Sequence, residues 1–363
     1  MTKLAPILRW QTLVPLLGLA ALAVTWGTTP GAVAVAVLGL ILAAVVLAAV
    51  HHAEVVAHKV GEPFGSLVLA LAVTVIEVGL IVTLMLSGGK GSATLARDTV
   101  FAAVMLTANG IVGISLLLGG IRYGVTRFNA QGSGVALATL TTLATLSMVV
   151  PTFTSSAPAR EFSGAQLAFA AVSSLVLYVL FVLTQTVRHR DFFLPVRANG
   201  EVIEEDHAAA PSTREAMVSL GLLVLALVGV VGLAKVESPA IEQAVAASGL
   251  PQSFVGVVIA LLVLMPETLA AARNAVRNHL QTSLNLAYGS GMASIGLTIP
   301  VIAILSGWLP GPLELGLGSV HMTLLALTVI VGVLTVVPGR STRLQGAVHL
   351  VIMAAFVFLS AVP

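Results

Sequence analysis

GLPQSFVGVVIALLVLMPETLAAARNAVRNHLQTSLNLAYGSGMASIGLTIP, residues 249–300, is the stretch whose reading decides the fold. At its centre stands Pro266-Glu267, a helix breaker and a carboxylate inside an otherwise apolar run. A second carboxylate, Glu77, holds the same kind of place in GEPFGSLVLALAVTVIEVGLI, residues 61–81. Laid over one another at an offset of 190, the two segments match at Phe64/Phe254, Val68/Val258, Ala70/Ala260, Leu71/Leu261, Val73/Val263 and Glu77/Glu267. The chain therefore carries two copies of one element, each with an acid near mid-span.

Of the 363 residues, 58% are hydrophobic and only 9% charged, and the mean hydropathy is +1.05. A soluble domain is about 25% charged, so this composition describes an integral membrane protein. Apolar runs of about 20 residues point to helices rather than to a barrel, whose strands are shorter and alternate. The absence of cysteine excludes disulfides and thiolate sites. A pI near 9.2 comes from basic loops, so the expected partners are the lipid bilayer and inorganic cations, with no nucleic acid and no bound cofactor. The first apolar run follows Lys3 and Arg9 as a signal peptide would, but many spans follow it and no clear A-x-A exit is present, so it reads as retained.

The expected fold is an all-α polytopic membrane protein with about eleven spans, at 11–27, 31–50, 64–87, 99–120, 134–151, 164–187, 215–234, 252–272, 283–307, 320–337 and 343–361. With the N-terminus inside, thirteen Lys and Arg fall in inner segments; four, Lys90, Arg97, Arg160 and Lys235, fall in outer ones. The positive-inside rule then sets the N-terminus in the cytoplasm and the C-terminus outside. Residues 1–30 form a leading helix, 31–187 a first five-helix repeat, 188–214 a cytoplasmic acidic loop and 215–363 a second five-helix repeat. Glu267 lies five spans after Glu77, an odd number, so the two halves cross in opposite senses. Such inverted repeats go with secondary transport and a midplane site.

Thirteen of the fifteen acids, Glu237 among them, are expected at span ends or in loops; only Glu77 and Glu267 remain within spans. Glu77 is about 16 Å along a helix from Ser66, near the middle of a roughly 30 Å hydrocarbon core. An acid there costs on the order of 2.5–3.5 kcal/mol on insertion scales. Arg273 is only six residues beyond Glu267. Either that span continues past Arg273, or Pro266 breaks it. A break would free carbonyls beside the carboxylate, ligands suited to a dehydrated hard cation; an ordinary proline kink is the other reading.

Small and polar residues crowd the following spans: Thr107-Ala108-Asn109-Gly110 and Gly113 in one, Asn285, Gly289-Ser290-Gly291 and Ser294 in the other. Asn109, Ser290, Ser294, Gly289 and Thr74, one turn before Glu77, are candidate cation-site neighbours. Close helix packing is the alternative role for such residues. His51, His52, Glu54 and His58 cluster at the inner end of the second span, as a sensor or as ordinary interfacial residues. Glu201, Glu204, Glu205 and Asp206 form either a solvated loop or a cytosolic cation sensor. No mid-span aspartate or H-E-x-x-H is present, and Gly289-Ser290-Gly291 has no evident His partner, so an enzyme is not expected.

GEPFGSLVLALAVTVIEVGLI with NGIVGISLLLGG, and MPETLAAARNAV with AYGSGMASIGLTIP, resemble the two α-repeats of the calcium/cation antiporter superfamily. They are most similar to its calcium/proton exchanger branch, of the bacterial type that also handles sodium and potassium. The resemblance covers essentially the whole chain. It implies ten core helices plus a leading one, with Glu77 and Glu267 as the acids that bind cation and proton in turn. It implies transport of Ca²⁺, Na⁺ or K⁺ against H⁺ in an inner membrane, and an acidic segment between the halves. Sodium-coupled calcium exchange is the alternative; a channel would need a continuous polar lining. Where many eukaryotic relatives carry a Gly-Asn pair three residues before the acid, this chain has Thr74-Val75 and Leu264-Met265.

Overall fold

The computed structural model describes residues 10–28, 30–61, 64–86, 91–158, 160–195, 211–309 and 311–363. In chain order the helices are α1 (Trp10–Thr25), α2 (Ala32–Val60), α3 (Phe64–Leu86), α4 (Ser92–Met105), α5 (Val112–Tyr123), α6 (Ala130–Ala144), α7 (Gly164–Leu183), α8 (Thr213–Ala247), α9 (Phe254–Val276), α10 (Leu280–Gly296), α11 (Thr298–Leu305), α12 (Ser319–Val336) and α13 (Arg343–Ala361). A π-helical turn, Leu106–Ile111, joins α4 to α5 without a break in the rod. Further π-helical segments follow α6 (Thr145–Val149) and α7 (Thr184–Arg188), each leading to a 3-10 turn, and two three-residue strands, β1 (Val125–Arg127) and β2 (Arg340–Thr342), are also present. The protein is all-α and polytopic: ten helical segments of the described residues are long and apolar enough to cross a membrane, and α1 is a shorter apolar helix.

Every expected span reappears as helix, but two run well past their expected ends. The second reaches Val60 rather than 50, and the seventh reaches Ala247 rather than 234. Hydropathy falls off at these points because charged residues enter. Alanine, glutamate and lysine nevertheless sustain helix well, and the backbone continues through Pro239. One consequence corrects the expectation for Glu237, which lies within α8 and is buried rather than at a span end.

The elements gather into two compact units. To within two residues at the boundaries, unit 1 holds α1, α2, α3 and α8, and unit 2 holds α4 to α7 and α9 to α13. In unit 1, α1, α2 and α8 pack along one another, and small residues set their closeness. A Cβ on Gly18 would sit 2.5 Å from Val45, and one on Gly229 would touch the same valine at 3.6 Å. The α2–α3 turn depends on Gly61, whose φ of 76° lies in the left-handed region that glycine alone enters freely.

In unit 2 the α4–α5 rod is the most deeply buried element, with Val100 to Val112 almost wholly enclosed. Connections that alternate crossing places on one face are tied together there. Thr126 Oγ1 and Ser341 Oγ lie 3.0 Å apart across the antiparallel β1–β2 pair, and Tyr123 Oη donates to the Val276 carbonyl at 2.7 Å. At the opposite face, Arg97 pairs with Asp98 at 2.8 Å and donates to the Gly316 carbonyl, while Gly316 N donates to Arg160 O. The Arg97–Asp98 pair is buried, which an apolar site tolerates because each charge neutralises the other.

The contact of α5 with α13 is backbone against backbone. A Cβ on Gly346 would collide with the Leu117 amide nitrogen and approach the Gly113 carbonyl oxygen to 2.8 Å. Neither obstacle is a flexible side-chain tip, so Gly346→Val must separate the helices. It should cost about 3 kcal/mol or more, measurable as a lowered thermal midpoint of the purified protein in detergent.

Candidate functional site

The two central carboxylates occupy the same place in helices of the same length. α3 and α9 each have 23 residues. Glu77 stands thirteen residues after Phe64 and nine before Leu86; Glu267 stands thirteen after Phe254 and nine before Val276. Each is thus about 20 Å from the start of its helix and 14 Å from its end. This removes the apparent mismatch in depth: the span continues past Arg273, and Pro266 does not break it. Thr268 Oγ1 donates to the Leu264 carbonyl at 2.7 Å, so the turn around Pro266 is also braced by a side chain. No broken backbone beside Glu267 supplies carbonyl ligands.

Both carboxylates are withdrawn from the surface, Glu77 to 2% exposure and Glu267 to 6%. Each shares its helix face with apolar residues: Val73, Ile76 and Leu80 on α3, Val263, Leu264 and Ala271 on α9. Leu71 and Val75 of α3, and Val258, Leu261 and Leu269 of α9, face outward. Thr74 is buried one turn before Glu77, on the same side.

Of the candidate neighbours in unit 2, Ser294 is buried within α10 while Gly289 and Ser290 are half-buried. A Cβ on Gly289 would meet nothing within 4 Å, whereas one on Gly291 would strike Thr107 Oγ1 at 2.5 Å. Gly291 is therefore a packing glycine between α10 and the π-helical turn, and the α10 face at Gly289 is open. Ser283 Oγ donates to the Ala271 carbonyl at 2.7 Å, locking the start of α10 to α9 one turn beyond Glu267. Asn285 is committed elsewhere, accepting from Gln281 and donating to the Phe193 carbonyl.

Asn109 lies in the π-helical turn, a distortion frequent at functional sites. Its side chain belongs to a buried polar network that sequence reading did not anticipate. Nδ2 donates to Thr328 Oγ1 at 2.9 Å, and Oδ1 lies 3.1 Å from His349 Nδ1. The other ring nitrogen of His349, Nε2, is 3.1 Å from Thr335 Oγ1. Because Oδ1 can only accept, Nδ1 carries a proton. His349 is 1% exposed and holds the Asn109 carboxamide in place. His52, by contrast, is buried against α1, with Nε2 2.9 Å from the Gln11 carbonyl, while Glu54 and His58 are exposed. Among the described residues, no group of three His, Asp or Glu side chains converges as a metal site. Glu201, Glu204, Glu205 and Asp206 lie outside the described residues.

The profile of the family described as sodium/calcium exchanger protein matches residues 30–187 and again 218–362. The chain belongs to that family. A putative ionic transporter, y4hA of Sinorhizobium fredii, is 45% identical over 361 residues, covering 98% of this chain and 96% of that protein. The sodium-potassium/proton antiporter ChaA of Escherichia coli is 33% identical over 335 residues, covering 91% and 90%. The solved structure of native YfkE has the same fold, with a TM-score of 0.73 at 17% identity over 98% of this chain and 99% of that one.

In this exchanger the His349 network is fixed by the fold rather than by a legible motif. A lone histidine in an apolar C-terminal helix gives no sequence signal of its partners, 240 and 14 residues away in the chain. Replacing His349 by Leu strands the buried oxygens of Asn109 and Thr335. A loss of about 1–3 kcal/mol per stranded group is expected, read as a lowered unfolding temperature. His349→Gln, which can still donate to Asn109, should recover part of it.

Proposed function

We propose that this exchanger is a cation/proton antiporter of a prokaryotic inner membrane, moving Ca²⁺, Na⁺ or K⁺ outward in exchange for protons by alternating access. The observation that carries the proposal is the matched placement of Glu77 and Glu267, mid-helix, buried, in two helices of equal length. A carboxylate at such a depth is expensive unless its charge is neutralised. A bound proton and a bound cation each neutralise it, and they compete for the same oxygens. Exchange follows when one occupant must leave for the other to enter. The transported cations are cargo, and the scheme uses no resident cofactor.

The names of related proteins support this choice of coupling ion, ChaA being a sodium-potassium/proton antiporter. Sodium-coupled exchange is the second reading, favoured by the family's description as sodium/calcium exchanger. The two separate in proteoliposomes: proton coupling gives uphill cation movement under an imposed pH gradient with sodium absent.

In that assay Glu77→Gln and Glu267→Gln should each reduce exchange to background while the purified proteins remain monodisperse, since a neutral amide is cheaper in the bilayer than a carboxylate. Cation affinity of the wild type should weaken as pH falls, with protons released on binding. Calorimetry in buffers of differing ionisation enthalpy counts them: up to about two for a divalent ion if both acids take part, about one for a monovalent ion. Wild-type exchange from either variant removes that residue from the mechanism.

The proposed topology has residues 188–214 and the N-terminus in the cytoplasm and the C-terminus outside, following the bias of Lys and Arg. Because the chain has no cysteine, single substitutions such as Glu205→Cys and Pro363→Cys are unique reporters. An impermeant thiol reagent added from outside should label position 363 and leave 205 unmodified until the membrane is opened.

A further inference from the structure

Besides Glu77, Glu267 and the ion-paired Asp98, the described residues bury one more acid, Glu237, 4% exposed, and it plays no part in the scheme above. It lies on α8 against Gly39 of α2, where a Cβ would come within 3.9 Å of both of its carboxylate oxygens. Its Oε1 and the neighbouring Ser238 Oγ are buried with no hydrogen-bond partner among the described residues. Pro239 follows inside the helix and gives no N–H to that turn. Two unsatisfied side-chain atoms on adjacent residues are not an ordinary feature of a buried helix. A carboxylate oxygen calls for a donor such as water or a hydrated proton, and glycine at position 39 leaves that side of the carboxylate clear.

The place of Glu237 in unit 1 follows from the packing. Val45 meets Gly229, and Gly39 meets Glu237, so α2 and α8 run antiparallel. α3 reverses direction after α2 and therefore runs parallel to α8. A Cβ on Gly79 would touch Val231, setting those two residues level. Glu77 is two residues before Gly79, and Glu237 six after Val231, so the two acids stand about 12 Å apart along the helix axes. Glu237 is the one nearer the α1–α2 turn. At that end Lys235 lies over the Trp26 ring, 5.1 Å from its centroid, the pairing of residue types that marks a membrane–water interface.

The surroundings favour a proton over a metal ion. No residue of α1 is charged, and α3 carries Glu77 alone. On α2 the ionisable residues His51, His52, Glu54, His58 and Lys59 begin twelve positions from Gly39, about 18 Å along the helix. On α8 the ionisable neighbours are Lys235 and, five residues on, Glu242. A single carboxylate beside an ammonium does not provide the six to eight oxygens a calcium ion takes.

We propose that Glu237 is a proton-binding site distinct from the two transport acids, relaying protons between Glu77 and the α1–α2 end of unit 1. The relay rests on the antiport reading for its destination; the proton site does not. The test uses full-length protein in liposomes carrying both Glu77→Gln and Glu267→Gln, treated with dicyclohexylcarbodiimide, which attacks protonated carboxyls in apolar settings. Mass spectrometry should find the adduct at Glu237 at acid pH, diminishing as pH rises, and unaffected by saturating Ca²⁺ or Na⁺. In an otherwise wild-type chain, Glu237→Gln should slow proton-driven exchange by at least about tenfold with cation affinity unchanged, and Glu237→Asp should restore much of the rate. Absence of the adduct at every pH, its suppression by a cation, or a wild-type rate from Glu237→Gln overturns the proposal. If the Gln variant does not fold, the labelling result decides. An adduct at Glu237 alongside a wild-type protein that fails to exchange would instead overturn the antiport reading.

Discussion

Everything in this structure answers to one constraint: inside a bilayer a polar group has no water to turn to and must find its partner in the protein. The chain meets it in graded ways. Threonine and serine hydroxyls fold back onto carbonyls of their own helices, as Thr107, Thr141 and Thr328 do at 2.7–2.8 Å. Arg97 and Asp98 cancel one another, and the Asn109–His349–Thr335 chain is closed by three side chains from separate helices. Against this background Glu77, Glu237 and Glu267 differ in kind. Each is an acid buried within a membrane-length helix, where a bare charge is costly unless it is balanced.

Much of this was legible before any coordinates. The offset of 190 picked out Glu77 and Glu267, and hydropathy found every span, because an apolar run of bilayer length is forced into helix. Helix ends were less legible. Hydropathy reports where the chain leaves the hydrocarbon, whereas backbone hydrogen bonding continues wherever residues such as Ala, Glu and Lys sustain it. Glu237 fell into that gap: it stands two residues after Lys235 and precedes a Ser-Pro pair, which together look like the exit of a span. Pro266 left two readings open for a related reason, since a proline that ends a helix in water is carried within one when neighbouring groups satisfy the backbone.

The side-chain network around Asn109 was not legible for a different reason. Its members are 219 and 240 residues apart, and a single Asn, Thr or His in an apolar helix has no local signature of the residue it will meet. What sequence did offer was the company Asn109 keeps, small residues that let a helix be approached closely. For Gly113 and Gly291 the structure resolves the two readings in favour of packing, and for Gly289 it leaves the helix face open.

The equal lengths of α3 and α9 carry a consequence for how such a chain can change over evolutionary time. Each residue of an α-helix turns the next by about 100°. A single codon inserted between Phe64 and Glu77 would therefore turn the carboxylate by about 100°, away from the direction it shares with buried Val73 and Leu80. Substitutions along these helices can be absorbed one at a time, but insertions and deletions cannot, because each one redirects every side chain beyond it. The register shared by the two copies is thus a frozen length as much as a shared composition, and divergence between them is confined to changes that preserve the count.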